Sequence, residues 1–359
     1  MIRIKLAELF KHRNETTFRP YLLAKDLFED IGVRFVTEGD CDLTWVGQAS
    51  YNDKKSTYTY GNCISRGLHF LNTEVRGDYV LFDGQDSASL LGSFDVFKNS
   101  EAKLLLKNSL YRTFEDYLTP WKMGRMYWGT GEPLLYPNGR PDETFGHTLL
   151  EADRERFGKV KLTGCNWLST VKPVWYDYKK LNKDIDVFAL FSYPAKDNIE
   201  YGCLTSVDYD AHRKPCIDEL IKLRNSGLKI AMLEGGKHVP IQEYYNLMSR
   251  SKIVVAPFGY GEIAPRDIEA AQFGAILYKP SMFHLQTIPN IYTPDTYVPL
   301  NWDYSNMNDC IYDTLASYSK MQEPFVESMR SMCAKNYKPE NLVTHTYEWL
   351  TKLEGFYTE

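Results

Sequence analysis

Short apolar runs alternate with polar turns from the first residues onward. MIRIKL, VRFV, DLTWVG, DYVLFDG and AKLLLKNSL have the length and content of buried strands, and several end in a glycine or polar turn. PYLLAKDLFEDIG sets apolar residues at helical spacing before a glycine stop. From about Phe114 to Tyr178 the periodicity gives way to Trp, Tyr, Pro and Gly, as in WKMGRMYWGTGEPLLYPNGRPDETFG. So many aromatics predict an ordered crossover rather than a disordered linker.

Regular alternation resumes at Asp184. Strand IDVFALFSY, helix AHRKPCIDELIKLRNSG closed by Gly227, strand LKIAMLEGG, helix VPIQEYYNLMSRS, strand KIVVAPFGYG, helix APRDIEAAQFG closed by Gly274 and strand AILYKP follow without a break. This order predicts a parallel sheet covered on both faces, because parallel neighbours need crossover helices. After Pro299 the pattern is mostly helical, with stripes in MNDCIYDTLASYSK, EPFVESMRSMCAKN and LVTHTYEWLTKL. The expected fold is α/β, two Rossmann-like, doubly wound domains facing a cleft. Their bounds are read as 1–172 and 173–338, with a last helix over 339–359 crossing back onto the first domain. Ligands in such folds sit at the carboxyl ends of the strands.

Length agrees, since 359 residues suffice for two domains with their own cores. With 42 Lys and Arg against 47 Asp and Glu, the formal charge is −5, and no basic stripe marks a nucleic-acid surface. The seven cysteines (41, 63, 165, 203, 216, 310 and 333) form no C-x-x-C pair, which fits reduced thiols in a cytoplasmic protein. Charge every few residues in MIRIKLAELFKHRNE predicts no signal peptide, and no apolar run approaches the ~20 residues of a membrane span. The sequence contains no H-E-x-x-H, G-x-S-x-G or G-x-x-x-x-G-K-[ST], which counts against zinc peptidases, common serine hydrolases and P-loop NTPases.

Chemistry concentrates in SKIVVAPFGYGEIAPRDIEAAQFGAILYKP, residues 251–280. A buried strand runs into Gly259-Tyr260-Gly261, where glycines let the backbone approach a ligand closely. A helix then starts near Pro265, and its amino end is expected to offer free N–H groups to an anion. Arg266 in that first turn is a forked donor suited to phosphate oxygens. Glu269, one turn on, lies on about the same face. A cation for phosphate beside a carboxylate for hydroxyls matches a nucleoside diphosphate linked to a sugar; the bland alternative is a surface ion pair.

The segment resembles the donor-binding segment of GT-B glycosyltransferases, most closely the exostosin-like pattern, through Ser251, Pro257, Gly259, Arg266, Glu269, Ala270 and Gly274. The resemblance implies that Glu269 holds ribose hydroxyls and Arg266 the diphosphate. It makes 173–338 the nucleotide-sugar domain and 1–172 the acceptor side. Two departures stand out: Ala275 occupies a position where exostosin-like sequences commonly carry cysteine, and Glu262 and Glu269 have six residues between them where group-1 transferases have seven. Glu262 is carried as a donor-side candidate.

Further candidates are loop residues. Asp83 and Asp86 flank a glycine turn after DYVLFDG and could supply a base for an acceptor hydroxyl, as could His12 in the first loop. Arg213 and Lys214 open a helix and could add charge at the diphosphate, while Gly235, Gly236 and His238 could frame the base. The expected partners are a nucleoside-diphosphate sugar, UDP before GDP, and a glycan or other hydroxyl acceptor. No nucleic acid, metal or resident cofactor is expected.

Rival readings remain at this level. Gly259-x-Gly261-x-x-Ala264 also fits a dinucleotide fingerprint, with Lys279 available for a 2′-phosphate, which would make an NAD(P)-dependent oxidoreductase. Asp40/Asp42, Asp184/Asp186 and Asp208/Asp210 have the spacing with which GT-A transferases hold a divalent metal. A non-catalytic nucleotide- or glycan-binding protein is the third.

Overall fold

The computed structural model of the chain describes residues 1–7, 14–47, 60–85, 87–90, 92–119, 121–122, 124–129, 146–170, 173–191, 212–233, 239–259 and 261–353. In the first half the strands are β1 (Ile2–Ala7), β2 (Val33–Val36), β3 (Leu43–Gly47), β4 (Tyr79–Asp83), β5 (Leu105–Lys107), β6 (Ser109–Tyr111), β7 (Trp121–Lys122), β8 (Gly146–His147) and β9 (Val160–Leu162). Six of them form one sheet in the order β2-β1-β3-β4-β5-β9, parallel throughout. The second half contributes β10 (Ile185–Ala189), β11 (Ile230–Met232), β12 (Ser251–Val255), β13 (Ile276–Pro280), β14 (Leu285–Thr287) and β15 (Val298–Leu300). Here the order is β11-β10-β12-β13-β15, again parallel.

Both sheets are doubly wound in the same sense: the second strand lies on one side of the first, and the rest on the other. The winding reverses between β1 and β3 and between β10 and β12, which is where such folds open a ligand crevice. The central strands carry continuous apolar runs because helices cover both faces, and every residue of β3, β4 and β13 is buried. Crossovers in the second domain are the helices Lys214–Asn225, Ile241–Ser249 and Arg266–Gln272. The final helix, Pro339–Leu350, packs onto the first domain: Leu342, Trp349 and Leu350 join Ile4, Trp45 and Phe82 in one core, with the Trp45 and Trp349 rings 5.6 Å apart.

Two features differ from the pattern reading. AKLLLKNSL is not one strand; β5 stays in the sheet, and after Asn108 the chain leaves it as β6. There β6 pairs antiparallel with β14 of the second domain, matching Leu285 with Tyr111, Gln286 with Leu110 and Thr287 with Ser109. Asn166 reinforces this seam by donating to Thr287 Oγ1 at 3.3 Å and to the Pro289 carbonyl at 3.1 Å. The second sheet also gains β15 at Val298–Leu300, at the point where the pattern turns mostly helical. No helix among the described residues is long and apolar enough to cross a membrane.

Candidate functional site

The carboxyl ends of β10 and β12 hold the residues that the sequence singles out. Leu190 and Phe191 leave β10, and Phe258 and Gly259 follow β12. Arg266, half-buried, spans this switch point. Its Nη2 donates to the Leu190 carbonyl at 2.7 Å and its Nε to the Tyr244 hydroxyl at 3.2 Å. Among the described residues these are its bonds, so two N–H groups on Nη1 and one on Nη2 remain, and the terminal edge of the fork is still able to meet an anion.

Glu269, also half-buried, accepts from Tyr244 Oη at 3.0 Å and from Tyr245 Oη at 3.5 Å. Burial raises its pKa above the usual carboxylate value, against the lowering effects of the two tyrosines and Arg266. Arg266 and Glu269 thus come together as the i,i+3 spacing predicts, but through Tyr244 rather than by a direct ion pair. In the sequence Tyr244 reads only as part of an amphipathic stripe. The available signal is a hydroxyl-bearing ring in EYYNLM, on the helix that feeds the glycine-loop strand.

Arg213 is buried beside the same loop. Its Nε donates to the Phe258 carbonyl at 2.9 Å, and its guanidinium lies 5.4 Å from the Phe191 ring centre. A Cβ at Gly259 would stand 3.3 Å from Arg213 Nη2, so glycine at that position admits the arginine. Lys214 instead turns outward and pairs with Asp218 at 2.5 Å. Gly259 N–H donates to the Gly261 carbonyl at 3.0 Å, closing the turn between the two glycines.

Several expectations are corrected. The helix after Pro265 has only seven residues and its amino end is largely taken: the N–H groups of Asp267, Ile268 and Glu269 bond to the carbonyls of Ala264 and Pro265, and Asp267 Oδ2 accepts from Ala264 N–H at 3.1 Å. An anion at this site would therefore be held chiefly by the Arg266 guanidinium rather than by a row of free N–H groups. Asp83 is fully buried. Its Oδ1 stands 3.1 Å from Lys107 Nζ and accepts from Gln85 N–H at 2.9 Å, and its Oδ2 accepts from Ser93 Oγ. A carboxylate so enclosed holds the first sheet together and does not reach an acceptor hydroxyl.

Glu262 is likewise fully buried, at the seam between the domains. Its Oε1 accepts from Ala88 N–H at 3.5 Å and lies 3.7 Å from His284 Nε2, so it faces the first domain rather than a sugar. Tyr127 of the first domain adds a second link, donating to the Gly259 carbonyl at 3.5 Å. The cavity at this seam, between Tyr127, Phe258, Pro280 and Trp302, is about the size of one water, too small for a nucleotide. Lys279 is fully buried against Asp267 at 3.0 Å and is closed to the 2′-phosphate that the dinucleotide reading requires. Asp184 and Asp186 pair with Arg250 and Lys252 at the amino end of β10, away from the crevice, and Asp42 accepts the Arg3 N–H. No group of three or more His, Cys, Asp or Glu among the described residues could hold a metal. His12, Asp86, Gly235, Gly236, His238, Tyr260 and the Asp208/Asp210 pair lie outside the described residues.

The chain matches no protein-family model, and no curated protein matches it in sequence. Its fold has counterparts among solved structures. Sucrose-phosphate synthase from Thermosynechococcus elongatus aligns over 98% of this chain and 99% of its own at a TM-score of 0.50 and 11% identity. HepE from Anabaena, solved with UDP, aligns over 98% and 100% at 0.46 and 12% identity. An alpha-glucosyltransferase solved with UDP and a DNA 13-mer aligns over 98% and 100% at 0.45 and 11% identity. The likeness is one of fold: mixed α/β with parallel sheets in two Rossmann-like domains, as in GT-B glycosyltransferases.

Proposed function

We propose that the protein is a glycosyltransferase that binds a nucleoside-diphosphate sugar at the carboxyl ends of β10 and β12 and passes the sugar to a hydroxyl acceptor on the first domain. The observation that carries this reading is the placement of Arg266, fixed to the Leu190 carbonyl at the switch point and joined through Tyr244 to a half-buried Glu269. That pairing supplies a cation for phosphate and an acceptor for ribose hydroxyls in a fold of GT-B type. Transfer breaks the bond between the anomeric carbon and the diphosphate, forms one to the acceptor oxygen, releases the acceptor hydroxyl's proton to the departing phosphate or to water, and leaves negative charge on the departing nucleotide. Arg266, with Arg213 beside the loop, would stabilise that charge without a metal ion.

A thermal-shift panel of UDP, GDP, ADP, CMP and NAD(P) tests the reading, because a ligand that binds the native state raises its apparent stability. A shift with a uridine or guanosine diphosphate, followed by sugar release or transfer from the matching nucleotide sugar, supports it. A shift with NADP alone would overturn it in favour of a dehydrogenase. Activity should survive EDTA.

A further inference from the structure

One hydroxyl stands between the two groups on which the site depends. Tyr244 Oη has a single proton, which it donates to Glu269 Oε2 at 3.0 Å, and it accepts the Arg266 Nε–H at 3.2 Å. Its ring fixes where that hydroxyl sits, edge-on to Phe188 of β10 at 5.1 Å and to Tyr245 at 5.5 Å. Burial pushes the phenol up to about 12, so it stays protonated and remains a donor at neutral pH.

Arg266 and Glu269 are three residues apart on one short helix, a spacing at which the two side chains would otherwise pair directly. Such a pair would occupy the guanidinium edge and the carboxylate lone pairs together. With Tyr244 interposed, Arg266 is turned toward Leu190 and keeps its terminal edge, and Glu269 keeps lone pairs for further hydroxyl donors. We propose that Tyr244 is a positioning residue for the nucleoside diphosphate: its hydroxyl keeps the phosphate-binding arginine and the ribose-binding glutamate apart, so that one ligand engages both. This rests on the reading that the crevice takes a nucleoside-diphosphate sugar.

The test is a double-mutant cycle on the full chain, with UDP and GDP titrated calorimetrically. Tyr244→Phe keeps the ring and removes the hydroxyl, and it should weaken the nucleotide that the parent binds by about tenfold, the scale of one hydrogen bond to a charged group. Glu269→Gln should weaken it by a similar factor. The double variant should be within about twofold of the weaker single variant, because an uncharged amide in place of the Glu269 carboxylate no longer competes for Arg266. Tyr245→Phe, which removes only the 3.5 Å contact, should change affinity less than threefold. Should Tyr244→Phe fail to fold, Tyr244→Met, which also fills the site without a hydroxyl, tests the same loss.

Full parental affinity in a folded Tyr244→Phe, or losses that multiply in the double variant, would overturn the positioning role and leave the functional reading intact. If the parent binds neither UDP nor GDP, the functional reading itself fails.

Discussion

Lys279 Nζ lies 3.0 Å from Asp267 Oδ1, and neither side chain is exposed at all. This pair joins β13 to the helix that carries Arg266 and Glu269, so it supports the crevice from below. Asp267 is also bonded to Tyr292 Oη at 2.6 Å and to Ala264 N–H. Lys279→Ala would strand a buried carboxylate and should cost about 3–5 kcal/mol in urea unfolding. Lys279→Met combined with Asp267→Asn, which keeps an acceptor for Ala264 and Tyr292, should recover most of that loss. A double variant no more stable than Lys279→Ala would contradict this account.

Arg266→Lys is expected to behave almost like Arg266→Ala toward a nucleoside diphosphate. An ammonium cannot hold the Leu190 carbonyl and the Tyr244 hydroxyl at once while presenting a flat edge to phosphate. Both variants should lose about tenfold to a hundredfold in affinity, roughly 1.4–2.7 kcal/mol, with a stability change of about 1–2 kcal/mol. Titration calorimetry and thermal melts read the two quantities separately, and unchanged nucleotide affinity in Arg266→Ala would remove the assignment.

Lys183 gives a pH dependence far from the crevice. Its Nζ donates to the carbonyls of Ser251 and Phe273 at 2.9 and 2.6 Å, and burial lowers its pKa to about 7. The unfolded chain, with an ordinary lysine pKa, holds a proton that the folded chain has released, so unfolding takes up a proton between pH about 7 and the ordinary lysine range. Stability from this group therefore rises with pH across that window and is flat below it. Comparing the parent with Lys183→Met at pH 6.5 and 9 should show the parent gaining on the variant by about 1 kcal/mol or more. A constant difference would rule out the shift.

Two glycines that close helices should respond differently to alanine. Gly274 has φ +70°, and an added Cβ would fall 2.2 Å from Tyr178 Cβ, so the segment carrying Tyr178 must move. Gly227 has φ +104°, with nothing within 4 Å of the same atom. Gly274→Ala should cost more than about 2 kcal/mol and Gly227→Ala about 1 kcal/mol, the backbone strain alone. Equal costs in chemical denaturation would show that Tyr178 yields freely.

The second sheet was legible because its central strands are buried on both faces and so read as unbroken apolar runs: Ile185–Ala189, Ser251–Val255 and Ile276–Pro280 each begin within a residue of a segment read as a strand, although the first two end several residues sooner than the pattern suggests. Helix periodicity also placed Arg266 and Glu269 on neighbouring positions. What local pattern could not convey was pairing between distant segments. Ser109–Tyr111 looks like the tail of one strand, and only Leu285–Thr287, brought in from the other domain, makes it a separate one. Charge is hard to read for the same reason: Asp83, Glu262 and Lys279 look like free loop or strand-end groups until Lys107, His284 and Asp267 are folded against them. The glycine–arginine–glutamate segment announced the crevice but not Tyr244, whose role depends on where its ring packs.

The β6–β14 ladder also restricts how the molecule can breathe. Backbone pairing of Ser109–Tyr111 with Leu285–Thr287 stitches the two halves together, so one cannot slide past the other without breaking a sheet ladder. Separating the two halves would therefore break that ladder together with the Ala88–Glu262 and Tyr127–Gly259 contacts, so the domains hold each other at more than one place.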